Sequence, residues 1–424
     1  MAAILIVSLL TLVILGLPIG FVLGISSLLT IIYAGNLPLI VIPQKMFGGI
    51  DSFPILAIPF FILAGEVMSS GGINKKIIRF SKAFIGWIQG SLAIITVVAS
   101  MFFAAISGSA VATVSAIGGV TIPAMKKEGY SAEFAAAVSS SAAVCGPIIP
   151  PSIPLIVYGA AMTMSVSDLF IAAVIPGVIL GISLIALSFV ISKKKKFPTS
   201  EKAPIKEKIA ATKDGIGALM MPVIILGGIF SGIFTPTEAS VIAVVYAFLI
   251  SFLVYKSIKI RDIPGILSKS AVVTSTIMII LSTSKVSSWI VVVSKLPTII
   301  SNAILGMTDS SIIILLLINL ILLVIGCLME ANAAMIILIP VLVPLANIAG
   351  VTPLQFGVVM TFNLCLGLLT PPVGATLLIG SHLAKARFEK AVVATIPFFL
   401  VGFIVLMLIT FVPSVTLWLP GVLK

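Results

Sequence analysis

Four short irregular stretches interrupt otherwise apolar sequence: Ser107-Gly108-Ser109, residues 146–152, Glu330-Ala331-Asn332 and residues 367–374. Each can break a helix. A helix broken inside lipid frees backbone carbonyls and amides that water cannot reach, so such breaks survive only where protein or a cavity satisfies them. Free carbonyls at a half-helix C-terminus suit a bare Na⁺, and free amides at a half-helix N-terminus suit a carboxylate. Ser109, Thr113, Asn332 and Thr370 add neutral oxygens or amides that replace a hydration shell without the desolvation cost of a full charge. Glu330, at the second tip, is the acid best placed for function. No phosphate-binding loop of the Walker type, no HExxH and no G-x-S-x-G is present, so direct ATP hydrolysis and the usual hydrolytic chemistries are not expected.

These stretches come in matched pairs. Sliding the chain by 221 residues, the distance from Pro150 to Pro371, lays Cys145-Gly146-Pro147-Ile148-Ile149-Pro150-Pro151 on Leu366-Gly367-Leu368-Leu369-Thr370-Pro371-Pro372. The same slide, without a gap, pairs Pro123 with Pro344, Gly129 with Gly350 and Gly159 with Gly380. One Pro in an apolar helix usually marks a kink. Two matched Pro-Pro pairs, each with a Gly four residues before its first Pro, point instead to a transport site at the bilayer midplane.

The elements that position them are membrane helices. Hydrophobic residues make up 60% of the 424 and charged ones only 9%, against about 45–50% and a quarter in soluble domains; mean hydropathy is +1.32. The expectation is an all-α polytopic membrane protein with an inverted repeat, about ten spanning helices and two re-entrant hairpins. The first repeat covers 1–192, with a hairpin near 84–125; a polar cytoplasmic linker covers 193–215; the second repeat covers 216–424, with a hairpin near 311–346. Residues 285–305 are expected to form an amphipathic arm at the membrane surface, with 71–84 as its counterpart. No cleavable signal peptide is expected, since the first apolar run has no basic lead and continues to Gly35.

Charge sets the orientation. The net charge of +12 sits in short loops between apolar runs, which argues against a nucleic-acid partner. With both termini outside, every Lys and Arg except Lys45, Lys285, Lys295 and Lys424 falls on the cytoplasmic side, as the positive-inside rule asks. Cys145, Cys327 and Cys365 show no metal or pairing pattern and read as small core residues. His382, beside Lys385 and Arg387, reads as a solvated helix end. Glu238 follows Pro236 and either caps a helix or acts in the site; Glu66 reads as an acid reaching the inner surface.

Four stretches then carry a resemblance: G-S-A-V-A-T-V-S-A-I-G-G-V-T-I-P-A-M, C-G-P-I-I-P-P-S-I-P, G-I-F-T-P-T-E-A-S-V-I-A-V-V-Y-A and N-L-C-L-G-L-L-T-P-P-V-G. With them, essentially the whole chain resembles the large membrane subunit of tripartite ATP-independent periplasmic (TRAP) transporters. The resemblance implies a Na⁺-driven elevator of the bacterial inner membrane that imports an organic acid, chiefly sialic acid or a C4-dicarboxylate, and is not an enzyme. It implies two partners, a small membrane subunit (as a separate polypeptide) and a periplasmic substrate-binding protein. One Na⁺ site would use Ser107, Ser109, Gly146, Ile149 and Pro151; the other would use Glu330 at the second tip with Gly367, Thr370 and Val373. The substrate would lie between the tips, at Ser107, Gly108, Ser109, Thr113, Asn332 and Thr376. The alternative is a stand-alone Na⁺/dicarboxylate symporter of related architecture, distinguished by whether transport needs a binding protein.

Overall fold

A computed structural model describes residues 1–35, 37–199 and 201–423. Lys424, expected outside the cell, lies outside the described residues. No strand occurs among the described residues. The first half comprises α1 (Ala2–Ile14), α2 (Ile19–Ala34), α3 (Val41–Gly48), α4 (Ala57–Ser70) and the amphipathic α5 (Ile73–Ile85). A hairpin follows, α6 (Ser91–Ser107) then α7 (Ala110–Thr113) and α8 (Gly119–Lys127), joined by a π turn over Val114–Gly118. Next come a broken helix, α9 (Ala132–Ala143) and α10 (Ile153–Met162), and the long α11 (Val166–Lys194). The second half comprises α12 (Ile205–Phe230), α13 (Pro236–Leu249), α14 (Ile263–Val293) and α15 (Leu296–Leu305). Its hairpin is α16 (Ser311–Leu328) and α17 (Ala331–Ile348), its broken helix α18 (Pro353–Gly367) and α19 (Ala375–Ala384), and α20 (Phe388–Phe411) and α21 (Ser414–Leu423) close the chain.

The 221-residue slide recurs in the helix boundaries. α6 ends at Ser107 and α16 at Leu328; α7 starts at Ala110 and α17 at Ala331; α9 starts at Ala132 and α18 at Pro353. Local chemistry sets these ends. Gly108 takes φ 59° to stop α6, and Ser109 then caps α7 by accepting from the Ala112 amide. Glu330 caps α17 in the same place. Gly129 (φ 85°) and Gly350 (φ 86°) turn the chain between hairpin and broken helix, in a left-handed conformation that favours glycine. Ser131 and Thr352 then cap α9 and α18. Both the Pro150-Pro151 and Pro371-Pro372 bonds are cis.

Among the described residues, eight helical stretches are long and apolar enough to cross a membrane. α9 and α10, with 12 and 10 residues, each reach less than about 20 Å at 1.5 Å per residue, short of a hydrocarbon core of about 30 Å; only the pair crosses. α18 and α19, with 15 and 10 residues, reach about 23 and 15 Å and likewise cross only as a pair. The helices form two bodies. α1, α2, α4, α12, α13 and α14 pack together, α6, α9, α10, α11, α16, α17, α18, α19 and α20 form the other group, and the two are in direct contact where α14 packs on α17 and α4 on α6. α5 lies against both α12 and α6, and α15 against both α14 and α17, so the two amphipathic helices bridge the bodies.

The arm expected over 285–305 is shorter than that. α14 continues to Val293 and only α15 is left as the arm. A polar residue that suggested a surface segment faces a helix instead: Ser287 is fully buried, and its Oγ lies 2.8 Å from Ser27 Oγ. The polar linker likewise shrinks at both ends, because α11 keeps Lys193 and Lys194 and α12 already begins at Ile205. Two of its acids are partnered on α5. Arg79 bonds Glu207 and Asp214, both at 3.0 Å, and Lys76 bonds Asp214.

Candidate functional site

Each hairpin tip packs on the break of its own half. Gly146 approaches the first tip so closely that an added Cβ would stand 2.7 Å from the Ser109 carbonyl oxygen and 2.9 Å from Thr113 Oγ1. Gly367 approaches the second hairpin in the same way, a Cβ there standing 2.5 Å from the Gly326 carbonyl carbon. The two broken helices run antiparallel to each other. Tyr158 at the end of α10 donates to Pro353 O at the start of α18 (2.9 Å), while Ser140 on α9 donates to Thr376 O on α19 (3.0 Å). The four irregular stretches therefore meet at one level of the fold.

A cavity of about 320 Å³ opens there. Gly108, Ser109, Glu330, Asn332 and Val373 of the expected site line it, together with Pro147, Cys327, Leu368 and Gly374. Its far wall comes from the other body, as Val13, Leu17, Ile19 and Ile277. The polar groups point at one another. Glu330 Oε2 accepts from the Asn332 and Ala333 amides (2.9 and 3.1 Å) and Oε1 from Asn332 Nδ2 (2.6 Å), so this carboxylate sits on the positive end of α17. That leaves Asn332 Oδ1 buried without a partner, a state that costs free energy unless a ligand satisfies it.

The remaining expected residues support this lining from behind. Ser107 Oγ lies 3.2 Å from Thr113 Oγ1, which donates to Ser109 O (2.8 Å). Thr370 donates to Gly367 O (2.8 Å), and Thr376 to Leu368 O (2.8 Å). Thr113 and Thr376 are fully buried, with their hydroxyls committed to backbone carbonyls. Ile149 packs on Gly177 of α11, and Pro151 presents its carbonyl to Gly108. The first break also carries its own brace: Ser152 Oγ donates to Pro147 O (2.5 Å) while accepting from the Leu155 amide (3.2 Å), which caps α10.

Cys327 was read from sequence as core filler. It lines the cavity, and its Sγ lies 2.7 Å from Thr370 Oγ1; only its position three residues before Glu330 hinted at this. Glu238 settles on capping, since it forms a reciprocal box with Thr235 at the start of α13. Among the described residues no group of three or more His, Cys, Asp or Glu gathers as a metal site. Hydroxyls, backbone carbonyls and the Glu330 carboxylate are hard oxygen donors, which suit hard cations over soft ones.

Comparison with known proteins extends this. The family model for "Tripartite ATP-independent periplasmic transporter, DctM component" matches residues 6–415. The chain is 40% identical to the isethionate TRAP transporter permease protein DctMQ of Oleidesulfovibrio alaskensis, over 96% of this chain and 64% of that protein. It therefore spans just under two thirds of that relative. It is 37% identical to the sialic acid TRAP transporter large permease protein SiaM of Vibrio cholerae, over 96% of this chain and 95% of that one. With the C4-dicarboxylate TRAP transporter large permease protein DctM of the same organism it shares 38% over 99% and 98%. Among solved structures, the YdaH transporter of Alcanivorax borkumensis superposes with a TM-score of 0.64 at 13% identity, over 89% of this chain and 88% of that one.

Proposed function

The chain belongs to the DctM-component family of tripartite ATP-independent periplasmic transporters, and from that premise we propose that it is the large membrane subunit of a Na⁺-coupled, binding-protein-dependent importer of an organic acid. Sialic acid and C4-dicarboxylates are the leading substrate classes, because relatives named for them match nearly end to end. A small membrane subunit and a periplasmic binding protein complete the machine in the bacterial inner membrane. The chain's two halves lie inverted across the bilayer, with the coil between α11 and α12 in the cytoplasm and both termini in the periplasm.

One observation carries this reading. Both hairpin tips and both helix breaks converge on a single cavity whose opposite wall belongs to the other body. Substrate held there touches both bodies, so a sliding of one against the other exposes it to alternate sides. Na⁺ is coupling cargo. Ser107 and Ser109, with the carbonyls of Gly146, Ile149 and Pro151, would hold one ion. Glu330, Thr370 and the carbonyls of Gly367 and Val373 would hold the other. The substrate carboxylate would meet Gly108, Ser109 and Asn332, with Ser107, Thr113 and Thr376 holding those groups in place. Once ions fill the tips, the tips close over the substrate. Ion and substrate binding are thereby linked.

The experiment is reconstitution with the small subunit and candidate binding proteins in proteoliposomes. Uptake should require an inward Na⁺ gradient, should ignore internal ATP and should fail without the binding protein. Equal uptake in Na⁺-free buffer at matched pH overturns the coupling. Full uptake without any binding protein points to the stand-alone symporter.

A further inference from the structure

The first hairpin tip has a second face. On the side away from the 320 Å³ cavity lies another, of about 260 Å³, between α4, α6, α7 and α14. Its polar lining is Glu66, Ser69, Ser107, Ser109 and Ser115. Ser109, Ile153 and Ile277 line both cavities, so they form the partition between them. Gly65 on α4 lies against the tip, where an added Cβ would be 3.4 Å from Ser107 Cα. One turn of α4 at this tip therefore carries the carboxylate of Glu66, in a segment where a lone acid is costly unless it has work or a partner.

The partner is weak. Lys269 Nζ lies 3.8 Å from Glu66 Oε1 with its side chain 72% exposed, and Ser70 Oγ is 3.4 Å away. The pair leaves the Glu66 carboxylate, 29% exposed, as the charged group of a cleft otherwise lined by hydroxyls and apolar groups. A cleft of one sign with low-dielectric walls concentrates counter-ions. Sequence reasoning makes Glu66 an acid reaching the inner surface; the structure also puts it on the cavity behind the tip.

We propose that Glu66, with Ser107, Ser109 and Ser115, forms a cation way-station through which Na⁺ passes between the first hairpin tip and the cytoplasm. This rests on the Na⁺-coupled reading and on the orientation that puts Lys269 inside. The ion gives up its tip ligands one at a time. The Ser107 and Ser109 hydroxyls, which border this cavity, hand it to the Glu66 carboxylate and then to water. Lys269 tunes the step by offsetting part of the carboxylate's attraction.

Internal Na⁺ reads out the way-station directly, because ions returning through it oppose net uptake. Binding protein added only outside selects correctly oriented transporters in proteoliposomes. Two variants shift the response in opposite directions. Glu66→Gln should raise the internal Na⁺ concentration that half-inhibits uptake by about five- to tenfold, near the low end of what such a cleft concentrates. Lys269→Met should lower it, and the half-saturating external Na⁺ should stay unchanged in both. Opposite shifts cannot arise from general damage to folding. A wild type indifferent to Na⁺ overturns the coupling reading and this proposal with it. A Na⁺-dependent wild type whose internal sensitivity is untouched by Glu66→Gln overturns the way-station alone. So does a shift confined to external Na⁺, since the cavity would then serve entry.

Discussion

Replacing Gly146 by Ala adds one methyl group at the place where the first break meets the first tip. That methyl would stand 2.7 Å from the Ser109 carbonyl oxygen, 2.8 Å from its carbonyl carbon and 2.9 Å from Thr113 Oγ1. Two of the three atoms are backbone. The third belongs to a hydroxyl that already donates to Ser109 O, so it cannot turn away without losing a bond. The tip must move by several tenths of an ångström, and overpacking of this kind costs about 1–3 kcal/mol. If the strain falls on the closed tip, ion and substrate affinity drop roughly 5- to 150-fold, at 1.4 kcal/mol per tenfold. Gly367→Ala should lie at the upper end, because its three nearest atoms are all Gly326 backbone, at 2.5 to 2.8 Å. Gly119→Ala is the control: nothing lies within 4 Å of that position, and Ala favours a helix interior. The assay is uptake against Na⁺ concentration in proteoliposomes, alongside thermal melting of the purified complex. Wild-type Na⁺ half-saturation and wild-type Tm in both Gly146→Ala and Gly367→Ala would refute the packing of tips on breaks.

Two further expectations follow from placement. Cys327 is half-buried on the cavity wall while Cys145 and Cys365 are fully buried, so a small maleimide should modify one thiol per chain. Substrate with Na⁺ should slow that modification, and equal labelling of Cys327→Ser would show that another thiol reacts. For orientation, a reporter inserted at Lys202 should be active only in the cytoplasm, and one fused after the final helix only in the periplasm. Cysteines placed at the exposed Gly129 and Gly350 should label from opposite sides; labelling from one side would mean that the halves are not inverted.

Much of this fold was legible because apolar patterning and punctuation agree. Gly108, Gly129 and Gly350 stand where helices end, and the starts of α7 and α9 recur 221 residues on at α17 and α18; the breaks agree less closely, since α9 stops seven residues before Pro150 and α18 four before Pro371. Legibility failed where polarity came from contact between helices. Ser287 looked like part of a surface arm because sequence cannot tell water from Ser27. The Lys-rich start of α12 looked like linker because its acids are answered by Lys76 and Arg79, more than 120 residues earlier. Of the residues expected at the site, Gly108, Ser109, Glu330, Asn332 and Val373 line the cavity, and Ser107, Thr113, Thr370 and Thr376 hydrogen-bond behind it. The far wall of Val13, Leu17, Ile19 and Ile277 carries no local signal, because an aliphatic side chain facing a cavity looks like one facing lipid.

The two broken helices cross by a size bargain that the halves strike differently. Tyr158 lies so close to Gly357 that a Cβ there would stand 2.6 Å from its ring. The positions related to this pair by the 221-residue slide hold Ile379 and Ala136, a smaller residue on one side and a larger one on the other. The halves share a plan and are not interchangeable parts. A chain built from two copies of the first half would set Tyr against Ala and overlap at both crossings, and one built from two copies of the second would set Ile against Gly and leave a gap. Volume is conserved only across the pair. Drift at either crossing is thus tied to a residue some two hundred positions away.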